Sequence, residues 1–319
     1  MIDSLLVSVN AVFPIFFIIL LGYVLRLRGF LSQNTISDMN RLVFMLAMPM
    51  LLFNSVYNAD LVTLFDSRMV VWLSVCIVIS FILLWVFAEV YLRRTPDLIG
   101  AFVQVSFRCN YAIIGIPLVA NVMGEAYTGM AAFATAFIVS LNNILAAVIL
   151  SAKDPRSEGI SPKLIKTVFI GVCKNFMIIA IVIGVSLNLF GLQLPRIAAE
   201  SVNIIAALCT PLALIAIGGA LQVSDFKQYA KPAVVSSFMK IIVVPLVFMS
   251  LSILLGFRGE ELAILLVMLG TPTAIASYVM AASMNANAPL TSAVILLTTM
   301  FSPITLTVGF YLLKVSELL

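Results

Sequence analysis

The sequence predicts an all-α polytopic membrane protein of about ten transmembrane helices, arranged as two inverted repeats of five helices. The first observation is the composition: 63% of the 319 residues are hydrophobic and only 10% are charged. A soluble domain needs a more polar surface than this composition provides. The second is the division of the chain into apolar runs of about 20 residues, the length that crosses a bilayer as a helix. The third is a set of glycine and proline landmarks that recurs in the same order in both halves.

Ten apolar runs are predicted to cross the membrane. We expect the first to be retained as a helix, since it has neither a basic n-region nor a small-residue cleavage site. The longest polar stretch, residues 151–162, separates a first repeat (1–150) from a second (163–319). The predicted spans, numbered one to ten, cover residues 5–26, 36–56, 69–92, 97–123, 126–150, 164–189, 197–221, 231–256, 261–284 and 289–314.

Loop charges predict the orientation. Eleven lysines and arginines fall on the side of the 151–162 linker and four on the other side. Because cytoplasmic loops carry the excess of basic residues, the linker is predicted to be cytoplasmic and both termini to lie outside. A multi-pass protein of the cell (plasma or inner) membrane follows, and the net charge of +4 implies no nucleic-acid partner.

The landmarks indicate an internal repeat. Pairs 162 positions apart are Gly22 and Gly184, Gly29 and Gly191, and Pro49 and Pro211. A further pair, Gly115-Ile-Pro117 and Gly270-Thr-Pro272, stands 155 positions apart. An odd number of spans per repeat makes the second copy inverted, and prolines predict broken helices at matched positions in spans four and nine. Inverted repeats with matched breaks are typical of secondary transporters that bind their substrate near the midplane.

Polar residues inside the spans are candidates for the site. Arg108, Lys174 and Lys240 each cost about 2.5–3.5 kcal/mol to place in a membrane, and no carboxylate within the spans balances them. Lys174 either faces the site or snorkels to the inner face. Excess positive charge beside helix N-termini favours an anionic substrate.

Other polar groups have a structural and a functional interpretation. Hydroxyls of Thr273 and Ser277 in span nine either bond to carbonyls of their own helix or line the site. Asn142 and Asn143 are interpreted as helix-to-helix contacts, and Glu89 as an i,i+4 partner of Arg93.

The residues that several other functions would require are missing from this sequence. Histidine is absent, and Cys76, Cys109, Cys173 and Cys209 have no paired spacing, so neither a disulfide framework nor a metal site or cofactor is predicted. An intramembrane enzyme would need an acid–base pair or an activated nucleophile that the chain does not offer. Buried carboxylates for a proton relay are also missing from the predicted core.

The motifs resemble those of the auxin efflux carrier family, over essentially the full length and in a bacterial-type form. They are PMLLFNS in span two, CNYAIIGIPL in span four, CTPLALIAIGGAL in span seven, KIIVVPL in span eight and TPTAIASYVMA in span nine. The resemblance implies that spans four and nine cross at their breaks, that spans one, two, six and seven form a scaffold, and that spans three to five and eight to ten move. It also implies a homodimer formed through the scaffold helices. Many relatives carry a second proline where this chain has Thr271, so the resemblance does not extend to the local shape of the second break.

The resemblance implies a carrier of a small organic anion, such as a malate- or malonate-like dicarboxylate or an auxin-like monocarboxylate, working by alternating access. A sodium-coupled symporter of the bile-acid type and a non-transporting ligand sensor are the alternatives. Ile113, Ile114 and Ile116 either line the site, which would suit an aromatic acid, or face lipid. The candidate substrate-binding residues are Arg108, Asn110, Ile116, Pro117, Lys240, Pro272, Thr273 and Ser277.

Overall fold

The computed structural model describes residues 2–59, 67–154, 176–221 and 226–319, and within these ranges the chain is helical without any strand. Most of the linker and the first part of span six, with Cys173 and Lys174, lie outside the described residues. The α-helices are α1 (Ile2–Leu27), α2 (Gln33–Leu42), α3 (Met48–Tyr57), α4 (Ser67–Tyr91), α5 (Ile99–Phe107), α6 (Ile116–Met123), α7 (Thr128–Ala152), α8 (Phe176–Leu189), α9 (Arg196–Ala220), α10 (Phe226–Phe238), α11 (Val244–Leu254), α12 (Gly259–Gly270), α13 (Ala276–Ser283) and α14 (Ala288–Val315).

Seven helical stretches of the described chain are long and apolar enough to cross a membrane. They are Gln33–Tyr57, Ser67–Tyr91, Pro96–Met123, Glu125–Ala152, Arg196–Ala220, Gln228–Leu254 and Ala288–Val315. Two shorter apolar helices, Val12–Leu27 and Phe176–Leu189, overlap with spans one and six. The architecture is that of a polytopic membrane protein, while the count of ten crossings and the inverted repeat stay predictions.

Three prolines sit at the same place relative to a widened helical turn. Pro49, Pro117 and Pro245 each occupy the second residue of an α-helix that directly follows a five-residue π-helical segment. These segments are Val43–Ala47, Tyr111–Gly115 and Met239–Val243. Proline has no N–H and its ring collides with the carbonyl one turn back. A π-turn, which bonds five residues apart, therefore lets the helix continue through the proline.

The helices of spans one, two, six and seven pack together. Helix α1 lies along α9, and α3 packs against both α8 and α9. A Cβ added at Gly22 would lie 2.2 Å from the Ile215 carbonyl oxygen, and one at Gly184 would lie 2.9 Å from the Phe53 carbonyl oxygen. Gly22 and Gly184 are 162 positions apart, and so are Phe53 and Ile215. The same close helix contact therefore occurs twice. In one contact the glycine comes from the first half of the chain and the carbonyl from the second, and in the other contact the reverse holds.

Helix ends repeat in the same way. Gly29 after α1 and Gly191 after α8 both take positive φ angles, 74° and 64°, which is the left-handed conformation that favours glycine at a helix C-terminus. Glu89 differs from its predicted pairing with Arg93, because it forms an ion pair with Lys153 at the end of α7 and accepts a hydrogen bond from Trp85. The ends of α4 and α7 thus meet at one face of the protein.

The centre of the protein is built from two half-helices. Every residue of α5 is buried, and so is every residue from Leu262 to Gly270 in α12. Helix α14 packs against both of them, and α10 and α11 pack outside. Each half-helix ends in the interior, and the site lies where they end.

Candidate functional site

The first break lies at Arg108, Cys109 and Asn110. Helix α5 ends at Phe107, Arg108 is extended (φ −72°, ψ 139°) and Asn110 lies outside the helical region (φ −89°, ψ 63°). The helix resumes with the π-turn at Tyr111 and runs on through Pro117. The break expected at Gly115–Pro117 is therefore about two turns too late in the chain, because the π-turn removes the clash that a proline makes in a regular helix.

The second break covers Thr271 to Ile275. Helix α12 ends at Gly270, Thr271 is extended (φ −62°, ψ 151°), and α13 begins at Ala276. Arg108 and Thr271, the first residues after the two half-helices, stand 163 positions apart. This spacing is within one residue of the 162 of the other landmarks. Gly270-Thr-Pro272 lies at the second break, whereas Gly115-Ile-Pro117 lies after the first.

The two breaks are joined by hydrogen bonds to backbone carbonyls. The Asn110 N–H donates to the Pro272 carbonyl at 2.8 Å, and the Thr273 hydroxyl donates to the Val105 carbonyl at 2.7 Å. Lys240 is fully buried, and its ammonium donates to the Leu269 carbonyl at 2.8 Å. Val105 and Leu269 belong to the last turns of α5 and α12, whose carbonyls lose their helical partners at the breaks. Side chains thus satisfy both half-helix C-termini.

A cavity of about 190 Å³ lies beside the crossing. Its wall contains both breaks together with parts of the second predicted span, α7 and α8. The lining residues are Phe44, Met48, Arg108, Cys109, Asn110, Tyr111, Ala112, Ile113, Val139, Asn142, Asn143, Met177, Ala274, Ile275 and Ala276. No described aspartate or glutamate is among them.

Two helix N-termini face this cavity. Among the described residues, no acceptor pairs with the N–H groups of Tyr111, Ala112 and Ile113, or with those of Ala274, Ile275 and Ala276. The Asn110 carbonyl accepts only from the next turn, at Ile114 and Gly115. Unpaired N–H groups and the helix dipole make such termini sites for anions.

Arg108 adds a full positive charge. It is 4% exposed, donates through Nη2 to Asn143 Oδ1 at 2.8 Å and through Nη1 to Met280 Sδ at 3.2 Å. Its buried Nε has no partner in the described part of the chain. Asn142 donates to the Tyr111 hydroxyl at 3.3 Å, and its own Oδ1 is buried without a partner there. Among the described residues, Arg108 thus keeps an unpaired donor and a charge that no carboxylate neutralises, while Asn142 keeps an unpaired acceptor.

The predicted site residues divide into two groups. Arg108 and Asn110 line the cavity, and so does Ile113. The others lie beside it rather than in its wall: Ile114, Ile116, Pro117, Lys240, Pro272, Thr273 and Ser277. Of these, Pro272, Thr273 and Lys240 hold the crossing together, and Ser277 accepts through its carbonyl from Gln104.

Sequence reasoning did not place Tyr111, Asn142 and Asn143 in the site. Adjacent asparagines inside an apolar helix can indicate a site, but such residues more commonly form contacts between helices. The structure gives both uses, since Asn143 reaches across from α7 to Arg108. Within the described ranges, no group of histidine, cysteine, aspartate and glutamate side chains is arranged to hold a metal ion.

Comparison with known proteins identifies relatives along the whole chain. Residues 7–310 match the family described as membrane transport protein. An uncharacterized transporter of Methanothermobacter thermautotrophicus is 26% identical over 307 residues, which cover 94% of this chain and 96% of the relative. The uncharacterized transporter YfdV of Escherichia coli K12 is 24% identical over 274 residues, 85% of this chain and 87% of the relative.

These matches agree with the motifs of spans two, four, seven, eight and nine. The chain belongs to the membrane transport protein family, the auxin efflux carrier family that its sequence resembles, and is an integral membrane protein of that family.

Proposed function

We propose that the protein is a secondary carrier of a small organic anion, bound in the cavity between the two breaks. The observation that carries the proposal is the pair of half-helix N-termini with unpaired N–H groups at one cavity. Arg108 supplies a cation there, and no described carboxylate neutralises it. A bound carboxylate would satisfy the N–H groups and the charge together.

Each cavity residue has a role in the proposal. The Asn110 side-chain amide, which has no hydrogen-bond partner among the described residues, donates to the carboxylate. Arg108 sets the sign of the substrate charge, and Asn143 holds the guanidinium in place at 2.8 Å. Lys240 is a support of the crossing rather than a direct ligand, because its ammonium is committed to Leu269. The volume of about 190 Å³ suits a mono- or dicarboxylate of few atoms.

Transport would proceed by alternating access. The scaffold of α1, α3, α8 and α9 stays fixed, and the helices that carry the breaks move the cavity past it. Two copies join through the scaffold as a homodimer. In the inner membrane, with both termini outside, the ion pair of Glu89 and Lys153 lies at the cytoplasmic face.

The hydrogen bonds at the breaks favour anion transport without sodium over sodium-coupled transport. Broken-helix carriers coordinate sodium with backbone carbonyls at half-helix C-termini. Here the Leu269 carbonyl accepts from an ammonium and the Val105 carbonyl accepts from a hydroxyl. We expect substrate binding to be the same in sodium and in potassium.

A cysteine placed in the cavity tests the assignment. Ile275→Cys, made in a chain whose four native cysteines are replaced by alanine, puts a thiol in the wall of the second break. Small carboxylates are expected to slow its alkylation by a membrane-permeant maleimide, and Leu246→Cys on the outside of α11 serves as the control. The assignment fails if none of the small mono- and dicarboxylates tested slows alkylation at position 275 in folded Ile275→Cys protein.

A further inference from the structure

A second, larger cavity lies away from the crossing, between α1 and α14. Its volume is about 890 Å³, which is several times that of the site at the breaks. The wall formed by α1 includes Val9, Phe13, Phe17, Leu20 and Tyr23. The residues of the opposite wall, on α14, are Leu296, Leu297, Thr299, Met300, Phe301 and Pro303. We call this feature the α1–α14 groove.

Helix α1 contacts both α9 and α14. A Cβ at Gly218 of α9 would fall 1.8 Å from the Ile19 carbonyl oxygen, so the two backbones touch there. Phe16 and Ile19 are buried on the inner side of the groove. Prolines lie inside both wall helices, Pro14 in α1 and Pro303 in α14. Proline in a helix interior kinks the helix, and the two helices, although they contact each other, leave an open groove between their exposed faces.

The chemistry of the wall is apolar and open to the bilayer. Phe13, Phe17 and Leu20 are 46%, 68% and 54% exposed, and Met300 and Phe301 on the facing helix are 58% and 48% exposed. Only Tyr23 and Thr299 bring polar side-chain groups to the lining. In an integral membrane protein, such a surface faces hydrocarbon.

The length and the charged end of the groove fit one occupant. Val9 to Tyr23 spans about 21 Å of helix at 1.5 Å per residue, whereas one leaflet of the hydrocarbon core is about 15 Å deep. Arg26 lies one turn beyond Tyr23, where its guanidinium donates to the Leu31 carbonyl and to Gln33 and keeps its charge. Arg28 follows the helix end with its side chain exposed. An aromatic ring with arginines beyond it is the arrangement found where helices meet lipid headgroups.

We propose that the α1–α14 groove binds a phospholipid, with one acyl chain between the two helices and an anionic headgroup at the Arg26 and Arg28 end. The lipid fills the gap between a helix packed on α9 and a helix packed on the half-helices of the site. This proposal rests on membership of a membrane protein family and does not depend on the substrate of the cavity at the breaks.

Native mass spectrometry of the full chain tests the proposal. After a detergent wash that strips boundary lipid, the wild-type protein is expected to retain one phospholipid. Leu20→Trp and Leu297→Trp fill the groove from its two walls and are expected to lose that lipid. Leu246→Trp, 65% exposed on α11 and outside the groove, is the matched control and is expected to keep it. Thermal unfolding selects variants that fold as the wild type does.

Three outcomes would overturn the proposal. Folded groove variants that keep the wild-type lipid would place it elsewhere. Wild-type protein that retains no lipid would contradict it, and crosslinking of positions 20 and 297 between two copies would then assign the groove to a dimer interface. Equal retention of phosphatidylglycerol and phosphatidylcholine from an equimolar mixture would remove the role of the arginines.

Discussion

At the scale of single residues, Asn110 has two separable tasks. Its backbone N–H joins the two breaks through Pro272, and its side-chain amide faces the cavity. Asn110→Ala keeps the backbone bond and removes the amide, so we expect substrate affinity to fall about tenfold, which corresponds to about 1.4 kcal/mol. Unfolding should be unchanged. Asn58→Ala, at an exposed helix end where Asn58 bonds to Asn54, is the control, and equal affinities of the two variants would count against the role of Asn110.

Arg108 sets the charge of the cavity in this account. Arg108→Gln keeps a donor and removes the cation, so carboxylate binding should weaken by more than tenfold, since hydrogen bonds to charged groups contribute about 1.5–3 kcal/mol. Asn143→Ala leaves the cation and removes its hydrogen bond, so the loss should be smaller. Isothermal titration of each variant with a carboxylate and with the amide analogue of that carboxylate measures these losses of affinity. An Arg108→Gln variant that prefers the carboxylate over the amide as strongly as the wild type does would contradict the assignment.

The residue scale is also where the sequence predicts least. Arg108 and Asn110 could be chosen from sequence because a cation and an amide are rare inside apolar spans. Lys240 could be predicted to be buried, but not to point at the Leu269 carbonyl, because helix rotation decides that. The unpaired backbone N–H groups have no side-chain signature at all, and they follow only from the position at which each helix resumes.

At the scale of elements, the crossing depends on side chains that satisfy helix ends. Thr273→Val removes the hydroxyl that donates to Val105 while it preserves the shape of the side chain. A buried carbonyl left without a donor costs about 1–3 kcal/mol, so the free energy of unfolding should fall by that amount. Thr305→Val is the control, because that hydroxyl donates to Ser302 in its own helix. Reversible unfolding in mixed micelles compares them, and equal losses would argue against the cap.

Close helix contacts are a second property of the elements. Gly22→Ala places a Cβ against the Ile215 backbone, and Gly184→Ala places one against Phe53 and Val56. Overpacking of this kind costs about 1–3 kcal/mol, so both variants should unfold more easily. Gly100→Ala, whose nearest contact would be 3.4 Å away, is expected to be near neutral. Neutral behaviour at Gly22 would show that α1 and α9 do not need their close approach.

The elements explain why one predicted break was misplaced. Proline predicts interruption from sequence, yet Pro49, Pro117 and Pro245 all lie in helices that continue after a π-turn. The interruption of span four comes instead at Arg108–Asn110, where no proline stands. Hydropathy predicts where helices are, because burial in lipid needs about 20 apolar residues, but it does not contain the local hydrogen-bond pattern that decides where they open.

At the scale of the whole molecule, the landmarks 162 positions apart were the most informative feature of the sequence. Gly22 and Gly184 make equivalent backbone contacts, and Gly29 and Gly191 end equivalent helices. The glycines were visible in sequence, but their partners Ile215 and Phe53 were not, because any residue can supply a carbonyl to a close helix contact. The repeat that these landmarks predict would place the substrate of an anion carrier where the two breaks meet.

Counterflow in proteoliposomes tests that claim most directly. Each acid of a panel of mono- and dicarboxylates is tested in turn. Vesicles are loaded with the unlabelled acid, in potassium medium without sodium, and uptake of the same acid in labelled form is measured. We predict saturable uptake of at least one acid by the wild type, with little uptake by Asn110→Ala and normal uptake by Asn58→Ala. Uptake that appears only with sodium, or binding without any counterflow, would contradict it and favour a coupled symporter or a sensor respectively.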